Sequence, residues 1–69
     1  MGQQEILEIV EELGITSLEE LKEMFDISIP SITKNLSALV KFKEIYSEII
    51  GRRYVYFSQE VWEELTNEW

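Results

Sequence analysis

The 69-residue sequence contains no cysteine and no histidine. The first absence excludes disulfides and thiolate metal sites. The second removes the commonest general base, the commonest metal ligand and the simplest pH switch together. Basic residues are scarce, six against fourteen acids, for a net charge of −8. No apolar run approaches the roughly 18 residues of a membrane span, no signal-peptide pattern opens the chain, and the start Met1-Gly2-Gln3-Gln4-Glu5-Ile6 lacks the hydroxyl that myristoylation wants at position six. A Gly-rich phosphate loop is missing, as is a serine beside a histidine base, and the carboxylates fall on regular helices at solvated spacing. These absences lead us to expect a soluble, cytoplasmic chain that is not an enzyme. No metal or cofactor is expected, and no membrane or small-molecule ligand.

What is present suffices for one domain over residues 1–69, at the small end of what folds alone. Hydrophobic residues make up 45% of the chain, enough for a single small core, and the size leaves dimerisation open because a partner adds buried area. The charge is segregated. Residues 1–26 carry −7 and residues 58–69 carry −4, whereas residues 27–57 carry +3, with Lys34, Lys41, Lys43, Arg52 and Arg53 against Glu44 and Glu48. Net charge argues against a nucleic-acid partner; its distribution argues for one.

Periodicity predicts a first helix over Gln3–Leu13, with Ile6, Val10 and Leu13 on one face, Leu7 and Ile9 flanking it, and Gly14 after the last turn. Its glutamates read as a solvated face or an acidic docking surface. Ile15 and Thr16 read as a short extended link. Ser17-Leu18-Glu19-Glu20 reads as a capping box, opening a second helix to about Phe25 with Leu18, Leu21 and Phe25 inward. After the break Asp26-Ile27-Ser28, Ser28 caps and Pro30 starts a third helix that runs to about Phe42. Ile32, Leu36 and Leu39 form its inner stripe. At about 100° per residue, Pro30, Lys34, Ser37 and Lys41 fall opposite that stripe, with Ser31 and Thr33 at the margins and no acid among them. Ile45–Ile50 and Arg53–Phe57 read as a hairpin, turned by Gly51-Arg52 in type II′ geometry. Val55 and Phe57 share one of its faces, Tyr54 and Tyr56 the other. Ser58 caps a last helix with the apolar stripe Val61, Trp62 and Leu65, extended by Trp69.

The second and third helices with their short turn form a helix-turn-helix unit, which places its second helix in the DNA major groove. The chain resembles winged helix-turn-helix transcription regulators, nearest to the small arsenical-repressor-like regulators of bacteria and archaea. Ser17-Leu18-Glu19-Glu20-Leu21 is similar to the opening of that family's second helix, Ile27 to Leu36 with Leu39 to its turn and recognition helix, and Gly51-Arg52-Arg53 with Tyr56 to its wing. The resemblance implies that Ser31, Thr33 and Lys34 face bases and phosphates and that Arg52 and Arg53 are wing contacts. It departs at Lys43, where a glycine is usual, and in lacking the cysteines and histidines of the metal-sensing members.

The expected architecture is α+β and mainly α, a winged helix-turn-helix with a three-helix core, a β-hairpin wing and a C-terminal helix. The expected function is sequence-specific binding of double-stranded DNA as a transcription regulator. Candidate DNA-binding residues are Pro30, Ser31, Thr33, Lys34, Ser37, Lys41, Lys43, Arg52, Arg53 and Tyr54. A homodimer is expected, with Leu7, Ile9, Trp62 and Trp69 as its candidate seam. The alternative is a winged helix that binds a protein partner through its acidic helices.

Overall fold

A computed structural model describes residues 2–67; Trp69 lies outside them. Helices α1 (Gln3–Leu13), α2 (Leu18–Met24) and α3 (Ile29–Lys41) pack on one face of a sheet, and α4 (Gln59–Asn67) packs on the other. The strands are β1 (Ile15–Ser17), β2 (Ile45–Ile50) and β3 (Arg53–Ser58). They run antiparallel in the order β1-β3-β2. Ile6, Val10, Leu21, Ile32, Leu36, Leu39 and Ile45 are fully buried between helices and sheet, and each such side chain contributes about 2 kcal/mol.

The local rules that build the helices are visible in their hydrogen bonds. Ser17 Oγ accepts from Glu20 N–H at 3.3 Å, and Ser28 Oγ accepts from Ser31 N–H at 3.4 Å. Ser58 Oγ accepts from Val61 N–H at 3.2 Å. Each hydroxyl thereby satisfies a donor that its helix leaves without an intrahelical partner. The Glu20 carboxylate, expected to complete the box on the Ser17 backbone, instead accepts from the Thr16 hydroxyl at 3.5 Å.

Three further sequence expectations change. The link at Ile15 and Thr16 is strand β1, with Ile15 opposite Phe57, Thr16 opposite Tyr56 and Ser17 opposite Val55. It closes the edge of β3 that the hairpin alone leaves open, and Ser58 N–H extends it by donating to Gly14 O at 2.8 Å. Leu13, expected inward, is 44% exposed, because the helix ends there and the chain turns away at Gly14. The hairpin turn is type I′, since Gly51 (φ 55°) and Arg52 (φ 70°) both take positive φ between the paired Ile50 and Arg53. Type I′ matches the twist of the flanking strands, but holding arginine there costs about 1 kcal/mol. Helix α2 ends as expected, with Met24 its last helical residue and Phe25 capping it in an extended conformation with its ring in the core.

The end of α3 explains the missing glycine. Lys43 N–H donates to Val40 O at 3.0 Å and Glu44 N–H donates to Leu39 O at 2.9 Å. This is the helix-ending pattern that favours glycine at the left-handed position, and Lys43 occupies it at φ 59°. Gln59 Nε2 also donates to the Lys43 carbonyl at 2.6 Å, so the strained residue is held from both sides.

Candidate nucleic-acid interface

On the solvent side of α3, Thr33, Ser37 and Lys41 recur at the four-residue spacing that stacks side chains on one helical strip. They form one wall of an open groove of about 470 Å3, whose other wall is the hairpin, through Ser47, Tyr54 and Tyr56. Leu18 and Val40 line it as well. Strand alternation explains the sheet wall, because Ser47 pairs with Tyr56 and Ile49 with Tyr54 on the face toward the helices. Tyr56 is almost buried and Tyr54 half-exposed. Burial first, and the neighbouring Tyr54 phenol second, push the Tyr56 hydroxyl above the ordinary tyrosine value, so it stays neutral.

All ten candidate DNA-binding residues are exposed. The groove brings Thr33, Ser37, Lys41 and Tyr54 together. Pro30, Ser31 and Lys34 lie outside it on the first turns of α3, Lys43 at its far end, and Arg52 and Arg53 at the wing tip. Ser31 is partly committed already. Its Oγ accepts from the Ser28 hydroxyl at 3.0 Å, and its carbonyl accepts from Asn35 Nδ2 at 3.0 Å. The Lys41 ammonium sits 5.9 Å from the centre of the Phe42 ring, at the outer limit for attraction to a π face. Sequence reasoning missed Ser47, Leu18 and Val40 as groove residues. Only the Ser47 position, a hydroxyl between Ile45 and Ile49 on one strand face, carried a signal.

The seam candidates are partly engaged within the chain. Leu7 and Ile9 pack against the core and are half-buried. Trp62 stacks on Tyr46, with centroids 4.9 Å apart and planes at 11°, and tilts against Phe57 at 5.4 Å. Thus α4 covers the back of the sheet. Val61 is fitted so closely to Gly14 that a Cβ there would lie 2.9 Å from Val61 Cγ2. Acids of α1 and α4 meet in a cleft lined by Glu11, Glu60 and Glu63 with Ser58 and Gln59.

Three helices and a wing on a three-stranded sheet, with the third helix presented to solvent, define a winged helix-turn-helix fold. A crystal structure of an ArsR family transcriptional regulator superposes on this chain with a TM-score of 0.70, at 22% identity, over 94% of this chain and 70% of that one. No protein-family model matches the sequence, and no curated protein matches it. No helix among the described residues is long and apolar enough to cross a membrane.

Proposed function

We propose that the chain is a transcription regulator that binds double-stranded DNA, with α3 in the major groove and the wing on the adjacent backbone or minor groove. The observation that carries this reading is the outward surface of α3, which presents Thr33, Lys34, Ser37 and Lys41 and no acid in a chain that is acidic elsewhere. Lysines neutralise phosphates and hydroxyls position or read. Lys43, Arg52 and Arg53, all exposed, add further positive charge. The likeness to an ArsR family transcriptional regulator supports the same reading. The chain acts in the cytoplasm and needs no catalytic group.

Counterion release sets the scale. A chain that engages all five cations of the segment would lose about 500-fold in affinity between about 50 and 200 mM salt. A two-fold dimer doubles the contacts and spaces half-sites roughly 34–36 Å apart. We propose that Leu7, Ile9 and Trp62 contribute to its seam. The exposed Leu13, Ile15 and Leu65 support an apolar contact. A second reading, a module that binds a basic segment of a protein partner, draws on the cleft of Glu11, Glu60 and Glu63.

Selection of random duplex DNA on the purified protein at two salt concentrations tests the proposal. Enrichment of a palindromic site with a steep salt slope is expected. Failure to enrich any sequence, with weak binding at both salts, transfers the function to the acidic cleft.

A further inference from the structure

We propose that the wing tip is an apolar wedge that enters the minor groove, opens a base step and bends the bound duplex. The inference rests on the DNA-binding reading and adds to it a mechanical action. Along β2 the side chains pass from buried Ile45 to exposed Ser47, Glu48, Ile49 and Ile50, and on β3 Arg53 and Tyr54 are exposed too. At the tip of the hairpin Ile49, Ile50 and Arg53 are therefore open to solvent, while Tyr54 lines the groove beside α3. A strand pair that meets water on both faces is ordinarily polar on both. Here Ile49 pairs with Tyr54 on one face and Ile50 with Arg53 on the other, and the two isoleucines are 67% and 53% exposed.

The turn between them adds charge. Arg52 holds a positive φ that glycine or asparagine adopts more readily, and Arg53 lies directly opposite Ile50. The wing's one acid, Glu48, sits two residues back from Ile50, so the tip stays net positive. Cations beside aliphatic side chains on a narrow projection match what a minor groove accepts. Its negative potential draws arginine, and a partly unstacked step takes up an isoleucine wedge. β2 is also a free edge of the sheet, where a second copy could pair. Such pairing has no use for the two arginines, which favour nucleic acid as the occupant.

Ring closure reads the bend. The sequence enriched by selection is placed at the centre of a duplex of about 100 bp, shorter than the persistence length of about 150 bp, and ligated with and without protein. The wild-type chain should raise the yield of circles. The variant Ile49→Thr/Ile50→Thr keeps β-branched residues at both strand positions, and its folding is checked by thermal melting. It should retain affinity to within about threefold and lose at least about four-fifths of the added circles. Binding without added circles, or equal yields from both proteins, overturns the wedge and leaves the DNA reading standing. If selection enriches no sequence, the DNA reading fails and the wedge with it. Sedimentation of both proteins without DNA covers the other occupant: a wild-type dimer that the variant reduces to monomer assigns the tip to self-association and overturns the wedge.

Discussion

Helices α1 and α3 do the same work toward the core and opposite work toward solvent. Ile6 and Val10 of α1 are as completely buried as Ile32, Leu36 and Leu39 of α3. Outward, α1 presents Glu5, Glu8, Glu11 and Glu12, and α3 presents Thr33, Lys34, Ser37 and Lys41. Either set solubilises an exposed helix. Folding therefore leaves the outward residues free, and the change of sign on one helix only needs a cause outside folding. The DNA contact proposed for α3 supplies one. The same division holds at the two strained positions. Lys43 and Arg52 are the non-glycine residues with positive φ among those described, and both are cations of the basic segment. Each carries its charge at the expense of backbone ease.

The inner faces should respond alike. Leu36→Ala leaves a cavity in the fully buried core and should destabilise the chain by about 3 kcal/mol, with Val10→Ala costing about 2 kcal/mol in chemical denaturation. Unequal losses much beyond that difference would show that one helix is peripheral to the core.

The outer faces should respond differently. Lys34→Ala/Arg53→Ala should weaken duplex binding by at least about 30-fold and lower the salt slope by about 1.8 for each bound chain. Its stability should stay within about 0.5 kcal/mol of wild type. The matching change on α1, Glu8→Gln/Glu11→Gln, should leave binding unchanged or slightly tighter, because it removes long-range repulsion that salt already screens. Mobility-shift titration of the two variants side by side decides it.

Lys43→Gly separates strain from charge. Relief of the left-handed backbone should raise stability by about 1 kcal/mol, while the salt slope of DNA binding falls by about 0.9 for each bound chain. A variant that gains stability with no change in slope would make Lys43 a bystander.

The smallest effect concerns Tyr56. Its hydroxyl titrates above the ordinary 10.0 in the folded chain, chiefly because it is buried. The stability this group lends is therefore complete below the unfolded value and is lost as pH rises through the higher folded value. Thermal melts should show an alkaline fall above about pH 10 that Tyr56→Phe diminishes.

The helices were legible because their signals are local and redundant. Ser17, Ser28 and Ser58 mark the starts, and the inner stripe of α3 repeats often enough to fix its orientation. Strand β1 was not legible as a strand. Three residues give no alternation to read, and its partner lies some forty residues away. The turn type also escaped, because Gly51-Arg52 fits either hairpin geometry until the strand pairing is known. At the candidate site, the exposure of Pro30, Lys34, Ser37 and Lys41 followed from helical periodicity. The groove did not, since it depends on how the hairpin is set beside α3, with Ser47 and Tyr54 across from Ser37 and Lys41. Lys43 stands where a glycine was expected, and it takes the left-handed conformation a glycine would favour while adding a charge.

The most direct test of the central claim is a backbone amide NMR titration of the labelled chain with the selected duplex. Shifts and broadening should concentrate at Ser31–Lys43 and Arg52–Tyr54, leaving the glutamate faces of α1 and α4 unmoved. Perturbations that gather instead around Glu11, Glu60 and Glu63, or that spread evenly over the chain, would contradict the assignment of the α3–wing surface to DNA.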